Sequence, residues 1–229
     1  MMRRANKNLV TALCLMPPSR IKNRLLRALG HEIHPSARFN ICLVRGVDKI
    51  RLGRRAAIGP GNVFRDLRLL SIADDSVIGQ WNWVSAAAPL VDAGGAGSLV
   101  IGTHSALTSR HYVDASGGVK IGSFTTVAGV RSTFITHGID WAASEQRTRP
   151  IVIGSYCLIG SNAAIVPGTT IADSVVTGMG ATLGGNVSSQ NSLYVGERAK
   201  LLRTGQHGLY FTRKSGFVSP AKGKQQPTG

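Results

Sequence analysis

The sequence predicts an all-β chain wound as a parallel β-helix, on three observations. Aliphatic residues recur at every sixth position over most of residues 50–185. Many are followed by Gly or Ala, and a small residue often stands two positions before them. The composition, with 28 glycines and 6% aromatics in 229 residues, suits many tight turns around small and branched packing residues. That length accommodates one domain with short appendages.

The first runs are Leu52-Gly53, Ile58-Gly59, Phe64 and Ile72-Ala73, Ile78-Gly79, Val84. Ile101-Gly102, Leu107, Val113 and Ile121-Gly122, Val127-Ala128, Thr133 follow. The longest is Ile153-Gly154, Ile159-Gly160, Ile165, Ile171-Ala172, Thr177-Gly178, Leu183-Gly184. A period of six matches neither the helical repeat nor the alternating strands and wider spacing of a sandwich. It matches short flat strands joined by corners, three to a coil. The aliphatic residue then points into a narrow core, and Ser76, Ser105, Thr125 or Cys157 fills the corner beside it. Stacked coils pair strand on strand and leave few edges. Cys157 in such a slot reads as packing rather than as a nucleophile.

Residues 1–32 form a basic segment ahead of the coil. Leu9 to Met16 imitates a secretion signal, but it runs into Pro17-Pro18 without a small-residue cleavage site and reads as uncleaved. Residues 17–30 predict a helix, with Pro18 and Ser19 at its start and Gly30 at its stop. Ile21, Leu25, Leu26 and Leu29 would make its apolar face, opposite Lys22, Arg24 and Arg27. Two readings of this helix stand: a cap over the open end of the coil, or a helix lying on a membrane surface. The coil domain is expected over 33–204 and a basic flexible tail over 205–229.

The net charge is +16, unevenly placed. Residues 1–68 hold 15 of the 27 Lys and Arg against Glu32, Asp48 and Asp66, whereas residues 151–196 hold none. Charge at the ends, with no reading module, argues against nucleic acid and for an anionic membrane surface or ligand. Cys14, Cys42 and Cys157 form no paired motif, which argues against a disulfide framework or thiolate zinc site and for a cytoplasmic setting. No apolar run reaches the roughly 20 residues needed to span a bilayer.

Chemistry is expected where the repeat breaks. Between Thr133 and Ile153 the chain uses twenty positions where one rung uses six, and the extruded loop 136–150 holds His137, Asp140, Trp141, Glu145, Arg147 and Arg149. A histidine there suits a general base, since its ordinary pKa lies near neutrality. Asp140 reads either as a group orienting that imidazole or as a solvated acid. Trp141 reads as a wall of an acceptor pocket or as a pin for the loop. Two extra residues around Gly117-Gly118 reset the register, marking Arg110, His111 and Asp114 as candidates for an acceptor site or for a structural role.

Thr136-His137-Gly138 before the loop, then Pro150-Ile151-Val152-Ile153-Gly154 and Ile159-Gly160-Ser161-Asn162 through Pro167-Gly168, resembles the hexapeptide-repeat acyltransferases. It is similar in particular to their galactoside and maltose O-acetyltransferase branch, and equally to the colanic acid-type acetyltransferases of bacterial surface polysaccharides. The resemblance covers roughly 50–204 and departs from the family at Leu158, where Trp is frequent, and at Gly184-Gly185, where Thr-Lys is frequent. It implies a left-handed β-helix, acetyl-CoA as acyl donor, no metal, and no covalent acyl-enzyme. It implies His137 as the general base, Ser161 and Met179 along the pantetheine, and Lys200 and Arg203 at the CoA phosphates. It further implies a homotrimer with sites between subunits, and a sugar or polysaccharide-precursor hydroxyl as acceptor, lipid-linked precursors included. Two rival readings stand beside it. A three-histidine zinc site of the carbonic-anhydrase kind would use His104, His111 and His137, whose separations of seven and twenty-six suit it poorly. The other rival is a non-catalytic scaffold.

Overall fold

The computed structural model describes residues 4–196 and 219–220. It is a left-handed parallel β-helix with three faces, made of two eight-stranded sheets and one seven-stranded sheet. The six-residue period is what stacks it. On the first face Ile33, Leu52, Ile72, Ile101, Ile121, Ile153, Ile171 and Val187 stand one above another in register. On the third face Val44, Phe64, Val84, Val113, Phe134, Ile165 and Leu183 do the same. All of these are buried, each removal from water being worth about 1.5–3 kcal/mol.

One column position departs from the expectation. The fourth run ends inward on Phe134, not Thr133, because a bulge between Leu107/Ser109 and Val127/Val130 inserts Gly129, in the left-handed region at φ +66°, and moves the register by one.

Corners are held by side chains that replace missing rung hydrogen bonds. Ser76 Oγ accepts from the Ser105 N–H, Ser105 Oγ from Thr125, and Thr125 Oγ1 from Cys157, at 3.0 Å each. A second ladder climbs from Asn62 to Asn82, His111 and Ser132. The Asn82 N–H donates to Asn62 Oδ1 at 2.8 Å, the His111 N–H to Asn82 Oδ1 at 2.9 Å, and the Ser132 N–H to His111 Nδ1 at 3.1 Å. Buried backbone donors thus find partners where the chain turns. On the outside of the first ladder's corner, residues in the left-handed region form a stacked column, His104 on Phe124 at 4.8 Å and Phe124 on Tyr156 at 4.9 Å.

Two helices, α1 (Arg4–Cys14) and α2 (Arg20–Ala28), close the first coil. Ser19 caps α2 as expected, accepting from the Lys22 N–H at 3.0 Å. Only half of the expected face docks: Leu26 is buried and Leu29 packs on the core, joined by Lys22 and Asn23, while Ile21 is 68% and Leu25 43% exposed. The open end of a β-helix presents carbonyls with no coil below to pair them. Lys22 Nζ lies within hydrogen-bond distance of two of them, Phe39 at 2.8 Å and Asn40 at 3.2 Å, and of the Met16 and Cys14 carbonyls at the end of α1, at 2.9 and 3.3 Å, and sits over the Phe39 ring. A polar plug satisfies that end where an apolar face would leave it unpaired. Among the described residues no helix is long and apolar enough to cross a membrane.

Two excursions leave the coil at the same corner, between third and first faces. Eight residues separate Phe64 from Ile72 and Val113 from Ile121, but seventeen separate Val84 from Ile101 and nineteen separate Phe134 from Ile153. The first excursion carries a short helix, α3 (Ala88–Asp92). The second, the expected loop 136–150, is a hairpin of His137–Asp140 against Glu145–Thr148. Of the segment 205–229, only Ser219–Pro220 is described, as a strand alongside Glu145–Thr148.

Burial lowers the His111 pKa from 6.5 to about 4. Its contribution is therefore whole above pH 6.5 and is lost as pH falls through about 4, a loss of about 3 kcal/mol. His111→Asn repeats the amide of Asn82 one rung away and removes that titration. Urea unfolding across this window should show wild type losing about 3 kcal/mol more than the variant; equal losses would contradict this position for His111.

Candidate active site

The strands Trp83–Ser85, Tyr112–Asp114 and Thr133–Phe134 are neighbours on the third face. The lower excursion follows the first of them and the hairpin follows the last. Asp114 ends the middle strand, so it lies between the two. Ser116 ties the region together: its Oγ accepts from the Ala87 N–H at 2.9 Å and its carbonyl from the Gly97 N–H at 3.1 Å, both on the α3 excursion. Gly117 is required here, since a Cβ would lie 2.8–2.9 Å from the Arg149 and Thr136 carbonyls of the hairpin base.

Asp114 is buried and accepts five hydrogen bonds. Oδ1 receives the Ser116 N–H at 3.1 Å and its hydroxyl at 2.5 Å. Oδ2 receives the Thr136 N–H at 2.8 Å, its hydroxyl at 2.7 Å, and His137 Nδ1–H at 2.8 Å. Burial by itself would raise the Asp114 pKa, but the hydrogen bonds from His137, Ser116 and Thr136 outweigh it and hold the carboxyl well below the usual range. The same bond raises the His137 pKa above 6.5, against the opposing effect of burial. With its proton fixed on Nδ1, neutral His137 keeps the lone pair on Nε2, and its side chain is 34% exposed. Such a dyad can take a proton from a bound group and return it.

The other expected site residues fall in several places. Asp114 lies under the imidazole rather than along an acceptor pocket. His111 is a correction to the acceptor reading: it is buried in the corner ladder, with Nε2–H donating to the Thr108 hydroxyl at 2.9 Å, so both ring nitrogens are used inside the coil. Asp140 does not orient His137; it accepts from the Ala142 and Ala143 N–H groups at 3.1 Å and pairs with Arg147 at 3.3 Å, closing the hairpin turn. Trp141 is exposed on that turn. Arg110, Ser161 and Met179 lie at the opposite edge of the third face, where strands begin; Met179 is 77% exposed. The four residues from Arg110 to Asp114 span roughly 13 Å, so one chain does not bring these to His137. Lys200 and Arg203 lie outside the described residues. Cys157 is buried, and burial pushes its thiol pKa up. Among the described residues no three metal-ligating side chains converge: His104 is stacked on the surface, His111 is internal, and His137 faces Asp114.

Ser116, Thr136 and α3 were not expected at the site. The reset around Gly117-Gly118 pointed to the segment, and the seventeen-residue gap after Val84 was the unused signal for α3.

The fold and site together define a β-helix protein with a carboxylate-supported histidine at the mouth of an extruded hairpin. No family model matches the chain, and no curated protein matches it. Similar solved structures include a hexapeptide-repeat acetyltransferase from Vibrio cholerae complexed with acetyl coenzyme A, at 18% identity over 87% of this chain and 85% of that one, TM-score 0.48. Another is a variant of the N-acyltransferase AntD from Bacillus cereus, in complex with dTDP and coenzyme A, at 15% identity over 63% and 78%, TM-score 0.47. A third is a variant GDP-perosamine N-acetyltransferase from Caulobacter crescentus with CoA and GDP-perosamine, at 14% identity over 79% and 63%, TM-score 0.21. At such distances the site is defined by its own geometry.

An NMR titration of the imidazoles checks the dyad. His137 should titrate above 6.5, and Asp114→Asn should lower that midpoint by removing the carboxylate that raises it. An unmoved midpoint in a folded variant would mean that Asp114 does not govern the ring.

Proposed function

We propose that the protein is a CoA-dependent acyltransferase that moves an acetyl group from acetyl-CoA to a hydroxyl of a sugar or polysaccharide precursor. The observation that carries this reading is the Asp114–His137 pair, set where both excursions leave the coil, within the Thr136-His137-Gly138 motif. His137 Nε2 takes the acceptor hydroxyl proton as its oxygen bonds to the thioester carbonyl carbon. The tetrahedral adduct collapses, the C–S bond breaks, and the imidazolium returns the proton to the departing thiolate. Asp114 does not accept the proton; it keeps the ring in the right tautomer and stabilises the imidazolium while it exists.

The placement of Arg110, Ser161 and Met179 supports a homotrimer. In a three-fold assembly the strand-start edge of one subunit can face the His137 edge of the next, completing a site that a single coil leaves divided. The exposed Trp81, Trp83 and Tyr112, near the start of the third face, suit such a contact. In this reading Ser161 and Met179 meet the pantetheine, Lys200 and Arg203 the CoA phosphates, and Trp141 with Arg110 the acceptor. The protein works on the cytoplasmic side, where acetyl-CoA is available.

The test is thiol release from acetyl-CoA over a panel of sugars bearing free hydroxyls or amines. His137→Ala should lower kcat about 10²–10⁴-fold with little change in acetyl-CoA affinity, because proton removal belongs to the transition state. Cys157→Ala should keep activity. Transfer within a few-fold of wild type by a folded His137→Ala variant would refute the base assignment. Full activity in a sample that light scattering shows to be monomeric would refute the trimer.

A further inference from the structure

The two-helix cap buries Val10, Leu13, Cys14, Lys22, Asn23 and Leu26 against the coil and leaves a second set of apolar side chains outside. Leu9, Leu15, Met16, Ile21 and Leu25 are 50%, 51%, 42%, 68% and 43% exposed. On α2, Ile21 and Leu25 are one turn apart and lie side by side, flanked on the same outward arc by Arg20, Arg24 and Arg27, the last also donating to the Ile33 carbonyl at 3.1 Å. On α1, Leu9 and Ala12 continue outward towards Leu15 and Met16. Ion pairs among the described residues involve none of the three α2 arginines. Lys7, Lys49 and Arg51, by contrast, are engaged with Asp48 or Glu32. Beside α2 an open groove of about 490 Å³ runs between Arg20 and Arg38, again with no acidic side chain on its walls.

We infer that the outer face of this cap is a membrane-docking surface, by which the protein lies on an anionic lipid bilayer. The charge decides the occupant. A second protein could cover five apolar side chains, but a face whose free charges are all positive, in a chain of net charge +16, is complementary to phosphate headgroups and repels another copy of itself. The geometry is that of an interfacial helix: an apolar stripe shallow in the acyl boundary, with arginines reaching up to the headgroups beside it. With Lys22, Asn23 and Leu26 turned into the coil end, Ile21 and Leu25 lie on the outward arc, since one helix cannot turn all its faces inward. This inference is independent of the acyl-transfer reading and survives its failure.

Sedimentation of the full chain with vesicles tests it, using phosphatidylcholine alone or mixed with phosphatidylglycerol. Wild type should bind the mixed vesicles and release them as salt rises. Arg20→Gln/Arg24→Gln/Arg27→Gln should weaken binding on the order of a hundredfold, at the usual gain per basic residue near an anionic surface. Ile21→Asp/Leu25→Asp should weaken it roughly tenfold or more, and because both side chains are exposed its melting temperature should stay near wild type. Equal binding to neutral and mixed vesicles would overturn the inference, as would full binding by either variant. So would the absence of vesicle binding with a smaller assembly for Ile21→Asp/Leu25→Asp in light scattering, which would assign the face to contact between copies.

Discussion

A strand of two or three residues has too few hydrogen bonds to hold itself, and most of the described strands are that short. Each backbone donor must therefore meet a carbonyl on the next coil, at every rung and every corner. That requirement shapes the rest. It places hydroxyls, amides and one imidazole in the buried corner slots, where a side chain can accept the N–H that a turn would strand. It sets a lysine against the open end of the first coil, where it supplies donors to the Phe39 and Asn40 carbonyls. It also confines long insertions to a corner, the one place where chain can depart without breaking a rung.

The site follows from that confinement. Because α3 and the hairpin leave from one corner, the strand end between them is covered from both sides, and Asp114 becomes a buried carboxylate ringed by donors. Among the described residues its one ionisable partner is the His137 imidazole. The result is a histidine of fixed tautomer held by a buried, hydrogen-bonded carboxylate, which is the preorganisation a proton transfer needs.

The coil was legible in the sequence because its core is a single repeated decision, one aliphatic residue in six, and register errors would turn that residue outward. Leu52, Ile58 and Phe64 show it plainly. Thr133 was misplaced because a one-residue bulge leaves no compositional trace beyond Gly129. His137 was legible through its motif and its long excursion. Its partner was not: Asp114 lies twenty-three residues away in sequence and meets His137 only because coils stack. Asp140, three residues off, was the nearer candidate, but hairpin geometry turns its carboxylate to its own turn. Helix α2 was legible as an element and as a cap over the coil end, but its docked face was legible only in part. Amphipathic pattern names the apolar residues but not how the helix is turned, and here Leu26 and Leu29 dock together with Lys22 and Asn23, which leaves Ile21 and Leu25 outside.

The pH dependence of kcat/KM for acetyl transfer tests the central claim most directly, compared with the imidazole midpoint measured on the same protein. If neutral His137 is the base, the rate should rise with pH through one midpoint, lying above 6.5 and coinciding with that of the His137 ring. A rate that stays flat while His137 titrates would contradict the account.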